Sequence, residues 1–448
     1  MDTNKTYDII IIGAGPGGYV AAERAGHLGK TVLIIERDRL GGVCLNWGCI
    51  PTKSLLNSAK AYKHALEGER FGVRTAGVEF DLPAAMAWKD QTVETLQKGV
   101  AYLMQKNKVD VISGEASIMA PGEISVNGQI FRGNNMIIAT GSRPAMPPIP
   151  GADQEHVVTN RGALAIGELP EKVAVIGGGV IGMEFASFFT SLGKRVEVFE
   201  MLPEILPMME PALAAEMRKT MKAVKFHLSS KVEAIEGKTL RYRDADGESS
   251  MEADLVLMAV GRTPNVEGLG LDSVKVNVTR RGIGVDEHMR TNIPGIYAVG
   301  DVTGTSLLAH SASRMGEVAV NHICGIADRM RYDAIPWAVY TDPEAAGCGY
   351  TLAQASEAGF DARILSYPYR GNGRFLAEHG PGAGTSLLVV DNADGRVLGV
   401  HLIGPYASEN IAAAAVMLET DVRAKELQEI VFPHPTVSEV IREASFEF

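Results

Sequence analysis

The feature that most constrains this chain is a motif written twice. The β-branched run Tyr7 to Ile12 (YDIIII) opens into GAGPGG, the helix-like YVAAERAGHLG, and then TVLIIE, which closes on Glu36. Further on, VAVI opens into GGGVIG, then MEFASFFTSLG, then RVEVFE, which closes on Glu200. Each copy reads strand, Gly-x-Gly-x-x-Gly, helix, strand, with 23 residues from Gly13 to Glu36 and 23 from Gly177 to Glu200. This is the βαβ dinucleotide fingerprint in its full context. Gly13 and Gly177 permit the sharp turn out of the strand. Gly15 and Gly179 let backbone amides approach a pyrophosphate at a helix N-terminus, where the dipole favours anions. Gly18 and Gly182 allow the helix to pack close to the strand. Glu36 and Glu200 stand where a ribose diol would donate hydrogen bonds, and a carboxylate there repels a 2′-phosphate, so Glu200 argues for NAD over NADP. A lone glycine triad can be a mere turn. Two copies with equal spacing, each ending on glutamate, imply two bound dinucleotides.

The rest of the chain fits a nucleotide domain that is left and re-entered. MIIATG (136–141) and LVLMAVG (255–261) are apolar runs closed by glycine, each followed by an arginine-proline turn, SRP and RTP. Such runs suit buried strands. RPAMPPIPG reads as an extended linker between the two modules. GIYAVGD (295–301) is a third glycine-closed run, and the last hundred or so residues alternate strands with helices. At about 150 residues per domain, 448 residues suggest roughly three. The boundaries expected are 1–146 for the first nucleotide domain, 147–264 for the second, 265–335 for a return segment and 336–448 for a C-terminal domain. Apolar content of 46% and a net charge of −11 exclude disorder and speak against nucleic acid or anionic membrane as partner. The N-terminus lacks a signal-peptide layout, and apolar runs such as Ile411 to Leu418 fall far below the ~18 residues of a spanning helix. The cytoplasm is the compartment expected.

Four cysteines, Cys44, Cys49, Cys324 and Cys348, are too few for a secreted disulfide scaffold. Cys44 and Cys49 lie in LGGVCLNWGCIPTK, directly after the first βαβ unit. A zinc site would want further ligands that no matching pair supplies, so no metal is expected. A structural disulfide fits poorly with a cytoplasmic chain. A redox-active pair beside a bound dinucleotide accounts for both the spacing and the glycine-rich neighbours. Cys49 should stand near the N-terminus of the helix-like SLLNSAKAYKHALE, where a thiolate is stabilised. Cys324 and Cys348 read as packing residues.

GGVCLNWGCIPTKSLL, ATGSRP, GGGVIGMEFA, AVGRTPN, GIYAVGDV, LLAHSASRMGEVAV and HPTVSE occur in this order. Together they resemble the FAD-dependent pyridine nucleotide-disulfide oxidoreductases, over nearly the whole chain from Tyr7 to Ala444. Within that family the resemblance runs most strongly to the enzymes that oxidise dihydrolipoamide. It implies an α/β fold: two Rossmann-like domains, for FAD and NAD, plus an α+β C-terminal dimerisation domain. Carried over by position, FAD is held by Gly13, Gly15, Gly18, Glu36, Lys53, Gly114, Thr140, Gly141, Ser142, Asp301, Leu308, Ala309 and His310. NAD is held by Gly177, Gly179, Gly182, Glu184, Glu200, Val232 and Gly261. Lys53 and Glu184 resemble an ion pair near the flavin and the nicotinamide. Cys44 is implied as the interchange sulfur and Cys49 as the one against the flavin. His434 in PHPTVSE is implied as the catalytic base, oriented by Glu439 and reaching the disulfide of the other subunit of a homodimer. The partners implied are lipoyl domains of 2-oxo-acid dehydrogenase complexes or the H protein of glycine cleavage.

Other NAD(P)H-dependent disulfide reductases share this map. A glutathione reductase normally has basic residues where Glu200, Met201 and Leu202 stand. A mercuric reductase normally carries a second cysteine pair at its C-terminus, where this chain reads SFEF. Two positions depart from the family pattern. Val43 stands for the usual threonine, and Phe432-Pro433 for a frequent His-Ala.

Overall fold

The computed structural model describes residues 5–448; the first four of the polar N-terminal residues lie outside them. The described chain divides into two compact units. The first takes the chain up to Leu55, Leu82–Ala145 and Gly261–Arg331; the second takes Leu56–Asp81, Met146–Val260 and Tyr332–Phe448.

The first unit is built on a seven-stranded sheet. Thr6–Ile12 runs parallel between Val32–Glu36 and Gln129–Ile138, and Asp110–Ser113 extends the edge beyond Val32–Glu36. The central strand is buried from Ile9 onward, as a parallel strand covered on both faces must be. The ten residues of Gln129–Ile138 serve two purposes. The first part pairs antiparallel with Glu123–Val126, which pairs in turn with Ala116–Ala120; the last part pairs parallel with Ile296–Ala298. The helix Ala309–Ile323 packs on Pro16–His27, and Gly17 and Gly316 allow the close crossing, since a Cβ on Gly316 would stand 2.4 Å from the Gly17 carbonyl oxygen.

The second unit holds an all-parallel sheet in the order Val224–His227, Arg195–Phe199, Lys172–Ile176, Leu255–Met258, Val157–Val158. The meander Lys231–Glu236, Thr239–Asp244, Gly247–Glu252 packs on it through Val232, Ile235, Leu240, Tyr242 and Met251. The C-terminal part is an antiparallel five-stranded sheet, Trp337–Val339, Ala345–Gly349, Val397–Ile403, Thr385–Asp391, Ala362–Pro368. Helices Ala407–Glu419 and Glu439–Ser445 bury one face of it, and Val397–Ile403 is buried along its whole length. Cys348 lies in this core with no exposure, as a packing residue should. Cys324 does not. It follows the last turn of the helix Ala309–Ile323 and is only half-buried, because the helix ends at the surface there.

One connection went unread in the sequence. Ser142–Pro144, where the chain leaves the first unit, pairs antiparallel with Arg262–Pro264, where it returns. The two arginine-proline turns thus form a two-stranded ribbon within the first unit. Their prolines fit because an edge pair of this length asks few amide donors.

Candidate active site

Both glycine loops are built alike. Gly13 and Gly177 adopt φ of +102° and +108°, and a Cβ on either would stand 2.4 Å from a backbone oxygen, of Ala139 and Ala259 respectively. Only glycine fits there. Gly15 and Gly179 then precede the twelve-residue helices Pro16–His27 and Val180–Ser191, leaving first-turn amides directed at whatever occupies the loop. Glu36 accepts the Ala14 amide at 2.7 Å and the Asp38 amide at 2.9 Å. Glu200 accepts the Gly178 amide at 2.6 Å and the Leu202 amide at 2.8 Å. In each copy two backbone donors fix the carboxylate at the strand end, beside the glycine loop. Nothing lies within 4 Å of a Cβ built on Gly179, so that side of the loop is open.

Other expected nucleotide residues gather around the first loop. The Gly114 amide donates to the Glu36 carbonyl at 3.0 Å. Thr140 and Gly141 are bracketed by Asn265, whose side chain donates to the Thr140 carbonyl at 2.9 Å and whose amide donates to the Gly141 carbonyl at 2.9 Å. Ser142 donates to Asp301 at 2.5 Å and accepts from Arg262 at 2.7 Å, while the Arg262–Asp301 ion pair closes at 3.6 Å. Burial lowers the Arg262 guanidinium from its ordinary value, opposed by Asp301. Asn265 and Arg262 were not singled out from sequence, although they sit in AVGRTPN. Leu308 caps the helix that Ala309 and His310 begin.

In the second unit Glu184 is buried in the helix Val180–Ser191 and accepts the Tyr340 amide at 3.1 Å. Val232 has its side chain in the core, so a dinucleotide would meet only its backbone. Gly261, expected with the second nucleotide, belongs to the first unit, and its carbonyl accepts the Ala145 amide at 2.9 Å across the ribbon.

The cysteines are joined in a disulfide with Cα atoms 4.7 Å apart. Cys44 lies in the short helix Gly42–Trp47, and Cys49 is the first residue of the eighteen-residue helix Cys49–Leu66. Gly48 makes the approach possible, since a Cβ there would stand 3.1 Å from the Cys44 Cα. The loop is tied to the first glycine loop by the Gly41 amide, which donates to the Ala14 carbonyl at 2.8 Å. Buried Asn46 holds it from within, donating to the carbonyls of Leu40 and Gly42 at 3.0 and 2.8 Å and accepting from Gln97. Lys53, four residues past Cys49, lies on the same helix face. The two sulfurs are therefore unequal. A thiolate on Cys49 gains the positive end of a long helix, and one on Cys44 does not.

In the second unit His434 Nδ1 is 2.9 Å from Glu439, whose other oxygen accepts the Thr436 amide at 2.9 Å. Burial raises the Glu439 carboxyl, but the Thr436 amide and His434 outweigh it and hold the group below its ordinary value. Buried Asn372 donates to the Thr436 carbonyl at 2.8 Å and so braces the turn. With Nδ1 engaged by the carboxylate, Nε2 is the outward nitrogen, and the imidazole is 78% exposed. A carboxylate thus orients an exposed imidazole, an arrangement that could serve a base. Phe432 packs against the C-terminal core. Among the described residues no group of three or more His, Cys, Asp or Glu is placed to hold a metal, and no helix is long and apolar enough to cross a membrane.

Residues 7–316 match the family "Pyridine nucleotide-disulphide oxidoreductase", and residues 335–445 match its dimerisation domain. Dihydrolipoyl dehydrogenase from Geobacillus stearothermophilus is 38% identical, covering 98% of this chain and 95% of its own. The mitochondrial dihydrolipoyl dehydrogenase of Pisum sativum is 38% identical, covering 98% and 90%. Among solved structures, LpdA from Mycobacterium tuberculosis is similar with a TM-score of 0.90 at 26% identity, covering 98% and 99%.

Proposed function

This chain belongs to the pyridine nucleotide-disulphide oxidoreductases, and on that premise we propose that it is a dihydrolipoyl dehydrogenase, oxidising protein-bound dihydrolipoamide to lipoamide and reducing NAD⁺ to NADH. The observation that carries this is the Cys44–Cys49 disulfide, anchored to the first glycine loop through Gly41 and Ala14.

The residues around the first loop fit FAD. Its pyrophosphate would lie at the amides following Gly15 and its ribose at Glu36, with Asp301, held by Ser142 and Arg262, toward the ribityl chain. NAD⁺ would lie on the open loop at Gly179 with its ribose on Glu200. Bound FAD supplies two-electron exchange between the dithiol and NAD⁺.

The protein's own part begins with His434 of one subunit taking a proton from a dihydrolipoamide thiol at Nε2, while Glu439 keeps Nδ1–H engaged and stabilises the imidazolium. The thiolate attacks Cys44 Sγ, forming a mixed disulfide and breaking the Cys44–Cys49 bond, so that Cys49 leaves as a thiolate at its helix N-terminus. The second substrate thiol, once deprotonated, attacks the substrate sulfur bound to Cys44. That closes lipoamide and releases Cys44. The cysteine pair has then gained two electrons, the substrate has lost two, and two protons have been released. The base comes from the dimerisation domain, so a homodimer completes each site. The partners proposed are lipoyl domains of 2-oxo-acid dehydrogenase complexes or the glycine-cleavage H protein, met in the cytoplasm.

The test compares dihydrolipoamide with NAD⁺ against NADPH with glutathione disulfide on one preparation of the flavin-loaded protein. Turnover with the first pair is expected. Turnover with the second pair alone would overturn both the substrate and the nicotinamide assignment.

A further inference from the structure

The parallel sheet of the second unit carries a carboxylate where its fold asks for none. Glu197 sits in the middle of Arg195–Phe199, and its side chain is 2% exposed. Parallel register places Phe199 beside His227 and Glu197 beside Lys225, so all four side chains share one face of the sheet. Glu197 accepts from Arg195 at 2.7 Å, from His227 Nε2 at 2.8 Å, and from Lys225 at 3.3 Å. The imidazole itself is buried. It is stacked on Phe199 with ring centres 4.6 Å apart and met edge-on by Tyr242 at 4.7 Å. An apolar residue would serve the fold alone at least as well, since burying a carboxylate is costly even when it is paired. Local rules broken in this way tend to mark function.

What the pair holds is the far wall of the Glu200 turn. The His227 carbonyl accepts the Glu200 amide at 2.9 Å, the Glu200 carbonyl accepts the Ser230 amide at 2.8 Å, and the Leu202 carbonyl accepts the Ser229 amide at 3.0 Å. Residues 227–230 therefore bracket the peptide units on both sides of Glu200. Ser229 is held at φ +48°, a left-handed conformation that a residue with a Cβ adopts only when its surroundings impose it. The fixed point for that turn is the His227 ring, tethered below to Glu197 and clamped between Phe199 and Tyr242.

We propose that Glu197 and His227 are positioning residues for the second dinucleotide site: they hold the 227–230 turn so that Glu200 meets the adenosine ribose of NAD⁺. The proposal rests on the reading of Glu200 as the ribose ligand. His227→Phe keeps the stack and removes the bond to Glu197; His227→Gln keeps a donor and loses the stack. In the flavin-loaded protein His227→Phe is expected to raise KM for NAD⁺ by about 3- to 10-fold, the size of one lost hydrogen bond, with kcat unchanged. Anaerobic reduction of the bound flavin by dihydrolipoamide, which needs no NAD⁺, should keep its wild-type rate. His227→Gln should recover part of the KM. Glu200→Gln is the companion variant. If Glu200→Gln raises KM and neither His227 variant does, the positioning role is wrong. If Glu200→Gln leaves KM unchanged, the ribose reading fails and the proposal fails with it. A fall in kcat and in the flavin reduction rate, together with KM, would show a general structural role and overturn the proposal as well.

Discussion

The two βαβ modules are copies in backbone and differ in the segment attached after the acidic residue. Both helices are twelve residues long and end at a left-handed glycine, Gly29 at φ +73° and Gly193 at +74°. Both glutamates are gripped by two amides. In both, the chain beyond the glutamate folds back to the residue after the first glycine. The Gly41 amide reaches the Ala14 carbonyl, and the Leu206 amide reaches the Gly178 carbonyl at 3.1 Å. Each returning residue is left-handed, Gly41 at φ +97° and Leu206 at +49°. After Gly41 the first module runs straight into Cys44 and Cys49. After Leu206 the second runs through a turn into the plain helix Pro211–Thr220. A nucleotide frame was used twice, and redox chemistry was placed on one copy by the residues joined on at the same point of return.

The largest effects should come from breaking one frame at a time. A Cβ on Gly18 would stand 1.9 Å from the Gly13 oxygen, and one on Gly182 2.0 Å from the Gly177 oxygen. Gly18→Ala is expected to cost the protein its flavin, through overpacking of about 1–3 kcal/mol in the first module. Gly182→Ala should leave the flavin bound and the disulfide reducible while abolishing NADH formation. Flavin absorbance per chain and anaerobic thiol counts would tell them apart; loss of flavin from both variants would mean that the copies do not divide the two ligands. Next in size is His434, the proposed proton acceptor. His434→Gln should lower kcat for dihydrolipoamide by roughly 10²- to 10⁴-fold with flavin content unchanged. Rates within twofold of wild type would remove His434 from the mechanism.

A smaller effect comes from the lowered Glu439 carboxyl. A depressed carboxylate contributes its stability above the ordinary range, and loses it as pH falls through the folded value. The hold on His434 should thus persist down to pH values somewhat below the usual glutamate range. In Glu439→Gln that contribution is absent at every pH, so thermal melting across pH 3–6 should show the variant below wild type at pH 6 and converging with it toward pH 3. The smallest concerns the cysteines outside the first module's loop. Burial pushes the Cys348 thiol up to about 12. Iodoacetamide at pH 8 should therefore leave Cys348 unmodified in the folded, reduced protein, while the half-buried Cys324 reacts slowly. Peptide mass spectrometry reads this directly.

The frame was legible because its requirements are local: a glycine that must turn, a helix that must start, and an acid at a strand end. The pieces that went unread depend on residues far apart. Ser142–Pro144 and Arg262–Pro264 find each other only because an entire module is inserted between them. Asn46 is held by Gln97, Thr140 by Asn265, and Thr436 by Asn372, pairings that no spacing rule reveals. His434 and Glu439 are close in sequence, yet a histidine in a proline-rich loop has no pattern of its own, and only family resemblance singled them out. Val232 is a core side chain to any hydrophobicity rule, and a nucleotide could meet it only through the backbone. Glu197 and His227 were missed because alternation placed both within ordinary strands.

On this reading the disulfide on the first module carries the electrons. The direct measurement is an anaerobic single turnover of the flavin-loaded protein with dihydrolipoamide, quenched by alkylation and followed by peptide mapping, before and after NAD⁺ is added. Cys44 and Cys49 are expected to become alkylatable on reduction and to return to the disulfide once NAD⁺ has been reduced. Flavin reduction by dihydrolipoamide with the Cys44–Cys49 bond intact throughout would contradict it.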